Sequence, residues 1–147
     1  MAVKKKMSYN KFMKKFFLGL IIFLTDLGLK KITLQIQPDQ PLISHWLSWT
    51  FFANPALAFS LSFPQPLIIL TSILILLILI ILVYKKPNYL FPASLIFLGA
   101  TSNLIDRLLH SFVIDYFYFY PISYFNLADG LIFLGVIFLA IKIYQRN

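Results

Sequence analysis

Cysteine and glutamate are both missing from this chain of 147 residues. Without cysteine there is no disulfide, no thiol nucleophile and no thiolate ligand for a metal. Every carboxylate is therefore an aspartate: Asp26, Asp39, Asp106, Asp115 and Asp129. With only His45 and His110 beside them, a conventional zinc site is not expected, and neither is any other cofactor. Charge is scarce as well, at 12% of residues against about 25% in an ordinary soluble domain.

What is present points to lipid. Hydrophobic residues make up 60% of the chain, aromatics 18%, and the mean hydropathy is +0.83. This is the composition of an all-α integral membrane protein whose length suits one domain of a few helices. The net charge of +8 does not indicate nucleic acid. The basic residues cluster outside the apolar runs, at Lys4–Lys6, Lys11, Lys14–Lys15, Lys85–Lys86, Lys142 and Arg146, as the positive-inside rule expects of cytoplasmic flanks.

Residues 1–15 read as a basic cytoplasmic tail. The apolar run of about 16–36 has no small-residue cleavage site after it and runs into Asp26, Lys30 and Lys31, so it reads as an uncleaved first span. Residues 37–63 hold Pro38, Pro41, Pro55, Trp46 and Trp49, with Phe51, Phe52, Phe59 and Phe63. From His45 to Ser62 that mixture suits short strands or an interfacial helix, in a small unit on the lipid surface. Spans two, three and four are expected at about 65–84, 89–108 and 126–144, with a basic turn at Lys85–Asn88 and an aromatic loop at 109–124. Both termini and the basic turn then face the cytoplasm. The 37–63 unit and the Asp115 loop share the outer face.

Chemistry concentrates between Asn103 and Asp129. Asp129 follows Asn126 by three residues at the start of span four, which reads either as a helix cap or as part of a site. Asp115 stands among Phe112, Val113, Ile114, Tyr116 and Phe117. An ionisable group at membrane depth is a functional candidate. Two carboxylates brought close would share a proton, one serving as general base for water and the other as general acid for a leaving group. Asn103 and Arg107 share one helix face, and Arg107 reads either as a ligand-binding fork or as a side chain reaching for headgroups. Asp106 reads as separate and structural. Asp26 and Lys30, four residues apart within span one, read as a mutually neutralising pair. His45 and His110 read as interfacial residues.

On these residues the chain resembles the lipoprotein signal peptidases (signal peptidase II) of bacteria. The segments that carry the resemblance are Asp26–Lys30 (DLGLK), Asn54–Phe59 (NPALAF), Gly99–Arg107 (GATSNLIDR), Val113–Asp115 (VID) and Phe125–Asp129 (FNLAD), in order along nearly the whole chain. The resemblance implies an aspartic endopeptidase of the cell membrane with four transmembrane helices. It also implies a small extracytoplasmic, β-like aromatic cradle between helices one and two. The implied reaction removes the signal peptide from a prolipoprotein, just before a cysteine carrying diacylglycerol. Asp115 and Asp129 fall on the catalytic pair, Asn54, Asn103, Arg107 and Asn126 on polar positions lining the site, and Asp26 and Lys30 on a supporting motif. The implied partners are the lipidated prolipoprotein and membrane lipid, without metal.

The chain departs from that pattern at several positions. The family usually has glycine where Ala56, Leu98, Ser102 and Ser111 stand, alanine at Leu57, and serine or an equivalent at Gly130. These departures bear on substrate fit and helix spacing. Two other functions compete: a catalytically impaired relative acting as a membrane scaffold, and a small proton-coupled transporter using Asp26, Asp115 and Asp129. The sequence shows no internal repeat of the kind transporters often carry.

Overall fold

The computed structural model describes the backbone of residues 2–56 and 63–145 and the side chains of residues 13–56 and 63–145. In chain order it contains α1 (Ala2–Ile36), β1 (Asp39–Ile43), β2 (Leu47–Asn54), α2 (Gln65–Lys85), α3 (Leu90–His110), β3 (Val113–Phe119), β4 (Ser123–Phe125) and α4 (Leu127–Tyr144). A single 3-10 turn, Pro87–Tyr89, joins α2 to α3.

The helices begin and end where local chemistry directs. Pro64 stands at the N-cap of α2 with a second proline in its first turn, where a missing N–H costs nothing. Ser111 closes α3 with φ of 66°, a left-handed conformation that favours glycine, and its N–H reaches the Arg107 carbonyl at 3.0 Å. Helix α3 is the central element. Its buried stripe includes Ala93, Ile96, Gly99, Asn103 and Asp106, at helical spacing.

Helices α3 and α4 meet backbone to backbone. A Cβ at Gly99 would stand 2.4 Å from the Ala128 carbonyl oxygen, and one at Gly135 would stand 2.9 Å from the Pro92 oxygen. Both glycines are therefore required by close approach, as small residues commonly are where helices pack in membranes. Helix α2 packs more loosely, and Leu70, Leu74, Leu77, Ile78 and Ile81 stand exposed along it. An apolar surface of this extent suits acyl chains rather than water. Helices α2 and α4 are each long and apolar enough to cross a membrane.

Helices with a small β unit were expected, and the strands form, but the unit is larger than the sequence suggested. All four strands join one antiparallel sheet in the order β1-β2-β3-β4. Residues 109–124, read above as a loop, supply β3 and most of β4. The β-branched and aromatic run Val113–Phe119 pairs with β2 and so becomes a central strand. The cradle thus draws equally on the segment after α1 and the segment after α3. The residues read as a basic tail continue as helix: α1 begins at Ala2. Leu57 and Phe59 of the Asn54–Phe59 motif lie outside the described residues.

Pairing of β2 with β3 sets Phe52 opposite Asp115 and Asn54 opposite Val113. The indole N–H of Trp49 donates to Thr33 Oγ1 at 3.0 Å, fastening the sheet to α1. Trp46, in contrast, is exposed at the turn of the first hairpin.

Candidate active site

The start of α4 bears out the helix-cap reading of Asn126 and Asp129. The cap is real: Asn126 Oδ1 accepts the Asp129 N–H at 2.9 Å, and Asp129 Oδ2 accepts the Asn126 N–H at 3.2 Å. This is a full capping box. It occupies only one carboxylate oxygen, however. Asp129 Oδ1 accepts instead from Asn103 Nδ2 at 2.8 Å, a group on α3.

Asp115 lies on β3 and is 1% exposed. Its Oδ1 accepts from Asn126 Nδ2 at 2.7 Å, and its Oδ2 accepts from Asn54 Nδ2 at 2.8 Å. One residue, Asn126, therefore touches both aspartates. Burial pushes the Asp115 carboxyl up to about 7, and the negative charge of Asp129 adds to the effect. Hydrogen bonds from Asn54 and Asn126 and the Lys30 charge oppose it.

The three amides are all oriented by a second bond. Asn54 Oδ1 accepts the Ala56 N–H at 3.1 Å, and Asn126 Oδ1 accepts the Asp129 N–H. Asn103 Oδ1 accepts from the Lys30 ammonium at 2.9 Å. An amide whose oxygen is engaged must present its NH2 on the other side. Each of the three accordingly points donors at an aspartate.

Behind Asn103 lies a buried ionic cluster. The Lys30 ammonium stands 3.1 Å from Asp26 Oδ2 and 2.9 Å from Asp106 Oδ2, and it donates to Ser102 Oγ at 3.0 Å. Lys30 and Asp26 do neutralise one another, as expected, but they are not alone. Asp106, read above as separate and structural, shares the same ammonium and accepts the Ile114 N–H at 3.1 Å, tying α3 to β3. The reason is rotation about α3. Asp106 and Arg107, three and four residues after Asn103, flank it on the same face: Asp106 lies on the Lys30 side, and Arg107 reaches the segment after β2.

Arg107 donates to the Asn103 carbonyl and to the Ala56 carbonyl, both at 3.4 Å. Among the described residues its buried Nε has no partner.

Two participants escaped the sequence reading. Tyr116 is fully buried, and its hydroxyl donates to Asp26 Oδ1 at 2.7 Å. Burial pushes its phenol far above the ordinary range, so it remains a proton donor. Ser102, noted only as a departure from a usual glycine, donates to Asp26 Oδ2. Spacing along α3 could have grouped Ser102 with Asp106. Nothing local marked Tyr116. Asp39, on the exposed edge strand β1, and the two histidines stay outside these hydrogen bonds, with His110 stacked beside Phe112.

This architecture recurs in bacterial membrane enzymes. Two solved structures so described match the chain with TM-scores of 0.81 and 0.79 and sequence identities of 26% and 25%. They cover 90% and 91% of this chain and 88% and 94% of their own. The fold is thus that of these membrane enzymes. Residues 18–145 match the family model of signal peptidase (SPase) II. The lipoprotein signal peptidase of Pelodictyon phaeoclathratiforme is 31% identical, covering 88% of this chain and 89% of its own. That of Clostridium tetani is 34% identical over 78% of this chain and 80% of its own, and that of Caldicellulosiruptor bescii 37% over 74% and 76%. The chain belongs to the signal peptidase II family of membrane peptidases.

Proposed function

We propose that this protein is an intramembrane aspartic endopeptidase that removes the signal peptide from diacylglyceryl-modified bacterial prolipoproteins. The single observation that carries the reading is Asn126, bonded through its Nδ2 to Asp115 and through its cap to Asp129. Two carboxylates held by one side chain, with a proton to share, are the minimal apparatus for peptide hydrolysis by activated water.

In this mechanism a water lies between Asp115 and Asp129. The ionised carboxylate takes a proton from it as the water oxygen attacks the scissile carbonyl. The protonated partner then gives its proton to the departing amide nitrogen, and the C–N bond breaks. Arg107 supports the charge that develops on the carbonyl oxygen, since its Nε still has a hydrogen to donate. Asn54, Asn103 and Asn126 hold the carboxylates in line, while Lys30, itself held by Asp26, holds Asn103.

The same proposal includes the topology. Spans at about 16–36, 65–84, 89–108 and 126–144 cross the bacterial inner membrane, with both termini and Lys85–Lys86 on the cytoplasmic side. Segment 37–63 and the β3–β4 hairpin then lie at the outer face, where a lipidated cysteine can enter sideways from the bilayer.

The test is release of signal peptide from a diacylglyceryl-modified prolipoprotein by the purified protein in detergent or lipid. The parent is expected to release peptide, and Asp115→Asn and Asp129→Asn are each expected to be inactive. Full activity in either variant would overturn the mechanism. A folded but inert parent would favour the scaffold reading.

A further inference from the structure

Helix α4 begins with four backbone N–H groups that its own turns cannot satisfy. Two of them stay local: Asp129 N–H goes to Asn126 Oδ1, and Asn126 N–H goes to Asp129 Oδ2. The other two leave the helix. Leu127 N–H donates to the Tyr116 hydroxyl at 2.9 Å, and Ala128 N–H donates to Asp26 Oδ1 at 3.1 Å. The Tyr116 hydroxyl donates its own hydrogen bond to that same Asp26 oxygen. The other Asp26 oxygen is held by the Ser102 hydroxyl and the Lys30 ammonium.

The Asp26 carboxylate is therefore a remote cap for α4, and Tyr116 and Ser102 fix its orientation from opposite sides. Asp26, Tyr116 and Ser102 are each 0% exposed. Tyr116 is also the residue after Asp115. Successive side chains of a strand point to opposite faces, so β3 sends Asp115 to Asn54 and Asn126 and sends Tyr116 to the backbone of α4. From Tyr116 the connection runs through Leu127 N–H to a helix whose third residue is Asp129.

We infer that Tyr116 and Ser102 are positioning residues that set the separation of Asp115 and Asp129, acting through the Asp26 carboxylate on the first turn of α4. The inference rests on the proposed aspartate pair and adds to it two hydroxyls that touch no substrate. Without the Tyr116 hydroxyl, Leu127 N–H loses its acceptor and Asp26 loses a donor. The start of α4 is then free to shift relative to β3.

Tyr116→Phe keeps the ring and removes only that hydroxyl, and Ser102→Ala does the same at the other oxygen. For Tyr116→Phe, kcat for peptide release is expected to fall roughly 10- to 100-fold while KM holds, since small misplacements of reacting groups carry penalties of this size. The alkaline limb of the pH profile is expected to move as well. The double variant is expected to lose less than the product of the single losses, because both changes release one carboxylate.

A second readout does not need turnover. With five aspartates and no glutamate, carboxyl-labelled aspartate gives five 13C signals, which Asp→Asn variants assign. Tyr116→Phe is expected to displace the Asp115 titration by on the order of half a pH unit or more. A parent kcat, pH profile and Asp115 titration in Tyr116→Phe would overturn the inference. So would a loss shared between kcat and KM with a lowered melting temperature, which marks general loosening. Should Tyr116→Phe not fold, unchanged kcat and titration in Ser102→Ala would overturn it, and altered values would support it. If the parent releases no peptide but the titration still moves, the proposed function fails and the inference stands.

Discussion

Asp115 shows how one residue can be costly to the fold and useful to the site. Its carboxyl sits at about 7 in the fold against 3.8 when free, chiefly through burial. The native state therefore binds a proton that the unfolded chain has released, across the interval between those values. Folding stability is fully supported below the lower value and declines as pH rises through the upper one. Asp115→Asn carries no such titration. Its melting temperature is expected to fall less than that of the parent between about pH 4 and pH 8, a comparison that scanning calorimetry in detergent provides. An equal slope in both proteins would mean that Asp115 is not protonated in the fold near neutrality. For the proposed Asp115–Asp129 pair, activity has a related limit: with the Asp115 carboxyl at about 7, a pair that must share one proton loses it on the alkaline side, so kcat is expected to drop roughly tenfold per unit there.

Among the elements, the α3–α4 pair has the least tolerance. Asn103 reaches Asp129 only because the two helices approach at Gly99, where an added Cβ would collide with the Ala128 carbonyl and with Ile132. Gly99→Ala is expected to destabilise the protein by about 1–3 kcal/mol, as overpacking does, and to cut peptide release sharply by displacing Asp129. Gly130 provides the contrast. It is next to Asp129 in sequence, yet a Cβ there meets nothing within 4 Å. Gly130→Ala is expected to keep activity and to melt at the same or a higher temperature, since alanine favours helix by about 1 kcal/mol. Activity assays and thermal melts of the two variants, run side by side, check both statements. The sheet is a second precise element. Thr33 holds Trp49 on one side, and Asp106 holds the Ile114 N–H on the other, so β2 and β3 are bound to the helices that flank the aspartates.

For the molecule as a whole, the absence of cysteine makes the proposed orientation directly measurable. Single cysteines can be introduced without removing any background thiol. Ser123→Cys, on the exposed edge of β4, is expected to react with an impermeant maleimide added to intact spheroplasts. Asn88→Cys, in the turn after Lys85–Lys86, is expected to react only after permeabilisation. The reverse pattern would invert the proposed topology and place the aspartates at the cytoplasmic surface.

Composition alone settled that this chain is a helical membrane protein. Its local motifs singled out Asp115, Asp129, Asn103, Arg107 and Asn126, because caps, helix-face spacing and apolar runs are short-range properties, whereas Asn54 came only from the family resemblance. Strand pairing was less legible. Residues 109–124 are aromatic enough for a loop at a lipid surface, and only the partner strand β2 makes Val113–Phe119 a strand. The cluster around Asp26 was least legible of all. Tyr116 and Ser102 meet that carboxylate across 90 and 76 residues of chain, and Ala128 meets it across 102. No local pattern encodes such contacts. They exist because burial leaves a carboxylate, an ammonium and two helix N–H groups no water to bond, so each must find its partner within the fold.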